Sequence, residues 1–209
     1  MISTDGLLAA GAPPIVAILR GLRPEEAVAI GRALVDAGIR LIEVPLNSPD
    51  PFASIARLQE AFGDHAMIGA GTVLDTAAVE RLAATGARLM VTPNTDPEVI
   101  ACGLAHGLEV VPGFLTPSEA FAAIKAGARR LKLFPASEQS TGYLRALLDV
   151  VPRDVGIWAV GGVTPENASG WLAAGAQGVA VWTALYQSGA SPADVSARAK
   201  ALVTAIAHR

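Results

Sequence analysis

The chain has 209 residues, 52% of them hydrophobic and only 17% charged, with a formal net charge of −3. That balance describes a globular protein with a sizeable core and gives no basic footprint for nucleic acid or an anionic membrane surface. The single cysteine, Cys102, excludes an internal disulfide framework and suits a reducing compartment. No apolar run reaches the roughly 20 residues that span a bilayer. The segment Met1 to Pro14 has no basic region and only a very short apolar stretch, so it does not read as a signal peptide; a cytoplasmic protein is expected.

After a short predicted helix near Thr4 to Ala10, one rhythm runs through the chain. The apolar run Pro14 to Leu19 reads as a strand, and Pro24 opens a predicted helix to Ala37, closed by Gly38. Leu41 to Leu46 is a second strand, with a helix from Pro51 to Phe62. Met67 to Val73 is a third, and Asp75 caps the helix that follows. Leu89 to Asn94 precedes a helix from Pro97 to His106, and Glu109 to Gly113 precedes one from Pro117 to Ala126. The sixth strand, Arg130 to Ala136, leads to a helix around Gly142 to Val150. Gly156 to Gly162 leads to a helix from Pro165 to Ala174, and Gly178 to Trp182 to a last helix from Pro192 to Ala207.

Near-continuous apolar strands alternating with helices argue a parallel sheet covered by helices. Eight such units without a linker predict a single-domain (β/α)₈ TIM barrel over residues 1–209. A doubly wound open sheet is the structural alternative.

The chemistry is concentrated in two strands. Lys132 lies between Leu131 and Leu133, and Glu43 between Ile42 and Val44. Alternation along a strand places Lys132 and Phe134 on one face and the leucines on the other. One reading is an edge strand whose lysine reaches water. The other is a buried amine that loses its proton easily and attacks a carbonyl. In a barrel, Glu43 and Lys132 both point inward. They would form either a structural ion pair or, since buried pairs add little stability, a nucleophile beside a proton-moving carboxylate.

Active sites of such barrels lie at the C-terminal ends of the strands. Those ends carry Arg20, Glu43, Asn47, Thr72, Thr92, Pro93, Gly113, Phe114, Lys132, Phe134, Gly161, Gly162 and Thr183. The pair Gly161-Gly162, just before a helix, suits a phosphate, although it also makes an ordinary turn. His65, His106 and His208 avoid the strand ends, so no histidine-ligated metal and no metal site is expected. Cys102 falls mid-helix and reads as core. Trp158 and Trp171 read as packing residues. No dinucleotide-type glycine pattern follows the first strand, and no cofactor is expected.

Ile42-Glu43-Val44, Gly69-Ala70-Gly71-Thr72-Val73, Thr92-Pro93, Val111-Pro112-Gly113, Leu131-Lys132-Leu133-Phe134-Pro135-Ala136 and Gly161-Gly162-Val163-Thr164-Pro165 follow in an order that spans nearly the whole chain. They resemble the KDPG/KHG aldolases, class I enzymes acting on 2-keto-3-deoxy-6-phospho sugar acids. The resemblance implies that Lys132 forms a Schiff base, that Glu43 shuttles protons, and that Thr72 helps hold the pyruvate part. It implies a small keto-acid substrate and a homotrimer. Within the family, Arg20, Asn47 and Val160 make the sequence look closer to the 6-phosphogalactonate type than to the 6-phosphogluconate type. The gluconate type has an arginine where Asn47 stands and a threonine where Val160 stands. Arg20 then replaces that arginine as the carboxylate holder.

The expected site is therefore Lys132 and Glu43 for catalysis, with Arg20, Thr72, Pro93, Phe134, Val160, Gly161, Gly162 and Thr183 against the substrate. One departure stands out: Ala180-Val181-Trp182-Thr183 has Trp182 where the galactonate type resembles a glycine. The indole either closes the site or faces the outer helices. An aldolase for the gluconate epimer or for an unphosphorylated 4-hydroxy-2-keto acid is the alternative enzyme. A barrel that only binds a phosphosugar is the alternative without catalysis.

Overall fold

The computed structural model describes residues 2–207; His208 lies outside them. In chain order the elements begin with α1 (Thr4–Ala9), β1 (Ile15–Ile18), α2 (Ala27–Asp36), β2 (Leu41–Pro45), α3 (Pro51–Phe62) and β3 (Met67–Gly71). They continue with α4 (Thr76–Ala84), β4 (Leu89–Val91), α5 (Pro97–Ala105), β5 (Glu109–Val111), β6 (Gly113–Phe114) and α6 (Pro117–Lys125). The last third holds β7 (Arg130–Leu133), a 3-10 turn (Ala136–Glu138), α7 (Thr141–Leu148), β8 (Gly156–Val160), α8 (Pro165–Ala173), β9 (Gly178–Val181) and α9 (Pro192–Ala207).

All pairings are parallel, in the order β5-β4-β3-β2-β1-β9-β8-β7-β6. The two edges of this sheet, β5 and β6, are separated in the chain only by Pro112. They are one stave of a barrel, interrupted because proline has no N–H for the ladder. The Pro112 carbonyl still accepts from the Lys132 N–H at 2.8 Å, which joins the two edges. The strand predicted as one run is thus two segments, and the barrel has the predicted (β/α)₈ form.

Helix starts are set by local chemistry. The Asp75, Asp96, Thr116 and Ser140 side chains each accept from a backbone N–H in the first turn of their helices, satisfying donors the helix itself leaves free. Several predicted boundaries move: the strands predicted to reach Asn94 and Ala136 end at Val91 and Leu133, and two helix ends shift. Residues 24–26 form a turn and α2 begins at Ala27, because Glu26 Oε1 is held by the Arg23 N–H (3.1 Å) and the Tyr186 hydroxyl (2.9 Å). The helix predicted to reach Val150 ends at Leu148, where the Asp149 N–H turns back to the Arg145 and Leu147 carbonyls.

Two apolar layers follow from strand alternation. The outer layer packs Ile42, Val44, Leu131 and Leu133 against the helices. The inner layer fills the lumen with Val16, Leu41, Met67, Val111, Trp158 and Val160. At the N-terminal end of the strands, α1 closes the barrel. There the Thr4 N–H donates to Glu109 Oε2 (3.1 Å), and Arg130 pairs with Glu109 (2.9 Å) and Asp5 (2.5 Å). No helix among the described residues is long and apolar enough to cross a membrane.

Candidate active site

The opposite end of the lumen opens into a cleft of about 120 Å³. Lys132 comes from β7 and Glu43 from β2, both inward because their apolar neighbours pack outward. Glu43 is 2% exposed and Lys132 7%. The edge-strand reading of Lys132 is excluded, since β7 lies between β6 and β8.

The two groups do not form a closed ion pair. Glu43 Oε2 is buried without a hydrogen-bond partner. Burial pushes the Glu43 carboxyl up to about 7, against the opposing pull of Lys132 and Arg20. Burial also holds the Lys132 amine below its ordinary value; Glu43 opposes that shift and Arg20 reinforces it. Lys132 Nζ lies 4.6 Å from the centroid of the Phe134 ring, which shields it from water. Each group is thereby moved toward its neutral form, the condition for a nucleophilic amine beside a carboxyl that exchanges protons near neutrality.

Room for the carboxylate comes from Gly71: a Cβ there would lie 2.1 Å from Glu43 Oε2. Thr72 follows with φ 59°, a left-handed conformation uncommon for a threonine, which brings its side chain to the cleft. Arg20 follows β1; its Nη1 donates to Asn47 Oδ1 at 2.5 Å and its guanidinium lies over the Trp182 ring, 4.8 Å from the centroid. After β8, Gly161 (φ 96°) and Gly162 (φ 71°) adopt backbone that L side chains rarely take. Asn167 Nδ2 donates to the Gly162 carbonyl at 2.9 Å, tying that turn to α8.

All ten site residues expected from the sequence line this one cleft: Lys132, Glu43, Arg20, Thr72, Pro93, Phe134, Val160, Gly161, Gly162 and Thr183. Other strand-end residues do not. The Phe114 side chain belongs to the outer layer, and the Thr92 hydroxyl donates to the Asn94 carbonyl and accepts from the Gly113 N–H at 3.3 Å, stapling two loops. Asn47 acts only through Arg20.

A model of the family described as KDPG and KHG aldolase matches residues 9–201. This chain belongs to the KDPG and KHG aldolase family.

The 2-dehydro-3-deoxy-6-phosphogalactonate aldolase of Escherichia coli (strain K12) is 46% identical over 92% of this chain and 94% of its own length. A probable enzyme of the same name from Rhizobium meliloti (strain 1021) is 47% identical, covering 92% of this chain and 91% of its own. Among solved structures, the native KDPGal structure superposes with a TM-score of 0.90 at 46% identity, over 92% of this chain and 93% of that one.

For this aldolase-family chain the cleft also includes Ile18, Val163, Ala180 and Trp182. Strand alternation could have found two of them: Ile18 lies two residues before Arg20, and Ala180 two before Trp182. The indole of Trp182 borders the cleft, which resolves the two orientations left open by the sequence.

Proposed function

We propose that this protein is a class I aldolase cleaving 2-dehydro-3-deoxy-6-phospho-D-galactonate to pyruvate and D-glyceraldehyde 3-phosphate. The observation that carries the reading is the buried amine and carboxyl of Lys132 and Glu43, held in one cleft with both displaced toward neutrality. The substrate follows the two relatives of that name, each at least 46% identical over 92% of this chain.

In the proposed sequence the neutral Lys132 amine adds to the C2 ketone, forming the C–N bond. Loss of water, assisted by Glu43, leaves a protonated imine. The C3–C4 bond then breaks with its electron pair flowing to the imine nitrogen, while the Glu43 carboxylate takes the C4 hydroxyl proton and the aldehyde departs. Glu43 returns a proton to C3 of the enamine, and hydrolysis releases pyruvate and the free lysine. Arg20 presents a charge-assisted fork to the substrate carboxylate, and the Thr72 hydroxyl supports it. The backbone of Gly161 and Gly162, with Thr183, receives the distal phosphate. Pro93 and Phe134 wall the reacting carbons. Val160 offers no hydroxyl at C4, which favours one epimer over the other.

The same reading includes a homotrimer in the cytoplasm, as the family resemblance and the single cysteine suggest; sedimentation of the purified protein tests the assembly. The decisive test is borohydride reduction in the presence of pyruvate, followed by peptide mapping. A pyruvate-derived mass on the peptide carrying Lys132 is expected. Pyruvate binding without an adduct overturns the proposal. Turnover on the two C4 epimers, each with and without phosphate, fixes the substrate, and the phosphorylated galactonate epimer is expected to be preferred.

A further inference from the structure

Trp182 is a large apolar ring, 43% exposed, at the rim of the cleft, and the proposed reaction gives it no part. Its backbone is well held: immediately after β9 the Leu185 and Tyr186 N–H groups both donate to the Trp182 carbonyl at 2.8 Å. Its side chain makes one directed contact, with the Arg20 guanidinium 4.8 Å from the ring centroid. On another side, Asn47 Oδ1 accepts from Arg20 Nη1 at 2.5 Å. A long, flexible cation is thus held between a ring face and an amide, a more defined position than a rim arginine ordinarily has.

The position matters because of what else Arg20 could reach. It lies close enough to lower the titration of both Glu43 and Lys132, and Glu43 Oε2 is buried without a partner. An Arg20 released from its support would pair with that carboxylate. The pair would draw the fork away from a substrate carboxylate and keep Glu43 ionised below its present range.

We infer that Trp182 is a positioning residue for the keto-acid end of the substrate: by stacking on Arg20 it holds the guanidinium off Glu43 and toward the incoming carboxylate, and so sets the preference for a carboxylate-bearing ketone. This rests on the reading of Arg20 as the carboxylate holder. The contact is specific to this chain in so far as Trp182 stands where the resemblance leads one to expect glycine.

The test uses pyruvate C3 deuterium exchange, which involves neither aldehyde nor phosphate and reports only on this end of the cleft. Trp182→Ala, Trp182→Phe and Arg20→Gln are compared with the unaltered protein on pyruvate and on its uncharged ester, methyl pyruvate. Trp182→Ala is expected to raise the pyruvate KM about tenfold with kcat little changed, and to erode the preference for pyruvate over the ester; a contribution of that size is in the range of a partly desolvated cation–π contact. Trp182→Phe, which keeps a ring face, is expected to restore most of both. A pyruvate KM unaltered in Trp182→Ala, alongside a raised one in Arg20→Gln, overturns the inference and leaves the role of Arg20 standing. Failure of Trp182→Phe to rescue, or a defect seen only with a phosphorylated aldehyde, overturns it as well. An unaltered pyruvate KM in Arg20→Gln instead overturns the carboxylate role of Arg20, and the inference with it.

Discussion

One barrel lumen holds two charged clusters, at opposite ends of the same strands. At the base, Arg130 faces Glu109 at 2.9 Å and Asp5 at 2.5 Å, and the Thr4 N–H donates to the other Glu109 oxygen at 3.1 Å. At the mouth, Lys132 lies two residues further along the same strand, yet the neighbouring carboxylate of Glu43 keeps an unpartnered oxygen. Paired charges at the base seal α1 onto the barrel. Charges at the mouth are buried without full compensation, an arrangement that costs stability and leaves both groups close to exchanging a proton. Chemistry here draws on charges left out of ion-pair contact, and structure on charges held within it.

The widest separation between the two ends is expected from Lys132→Met. It removes the amine while keeping an unbranched apolar chain, so pyruvate exchange should fall on the order of 10⁴-fold or more, as for loss of a nucleophile elsewhere. Activity retained in this variant would place the reaction on another group. Glu43→Gln should still allow some borohydride-trapped adduct but lower C3 deuterium exchange by about 10²–10⁴-fold. In the unaltered protein kcat/KM for cleavage should fall as pH drops through about 7, where the Glu43 carboxylate takes up its proton; a flat profile across that range would remove Glu43 as the base.

Gly71→Ala probes the same carboxylate by geometry. A Cβ lying 2.1 Å from Glu43 Oε2 forces the group aside, and a displacement of that kind is expected to cost about 10²-fold in exchange. Near-normal exchange would show that the carboxylate does not need its present position.

Stability sharpens the contrast. The folded-state Glu43 carboxyl titrates near 7, above its ordinary 4.5, so the native state binds the extra proton between those values. Stability from this group is present below about pH 4.5 and is lost as pH rises through about 7. Glu43→Gln should accordingly be more stable than the unaltered protein at pH 8, by up to roughly 3 kcal/mol, and not at pH 4. Denaturant unfolding at the two values measures it, and equal stability at pH 8 would contradict the burial cost. Glu109→Ala, at the base, should do the reverse. It should lower stability by about 1–3 kcal/mol by leaving Arg130 with the exposed Asp5 alone, while exchange per folded molecule is little changed. A large loss of exchange there would mean that the base tunes the mouth.

Much of this was legible in the chain because strand alternation is local. Glu43 between Ile42 and Val44, and Lys132 between Leu131 and Leu133, declare their facing as soon as the flanking residues are assigned to the helix side. The residues after the strands collect at one end for the same reason, so ten of the cleft's lining residues could be written down from the chain, while Ile18, Val163, Ala180 and Trp182 were not among them. Less legible were contacts made across the fold. The late start of α2 depends on Tyr186 reaching Glu26, and the base network depends on α1 meeting β5 and β7. The break of one stave at Pro112 had a visible cause, but whether a proline interrupts a ladder or sits at its end depends on the neighbouring strands.

By itself the sequence determined the order of strands and helices, the inward parity of Lys132 and Glu43, and the family, because periodicity and motif are properties of neighbours in the chain. Tertiary structure alone decided that Glu109 lies in ion-pair contact with Arg130 while Glu43 has no such contact with Lys132, and that Trp182 turns to the cleft and carries Arg20. The reason is physical: desolvation and pairing depend on everything within a few ångströms of a group, and in a closed barrel those neighbours come from strands far apart in the chain.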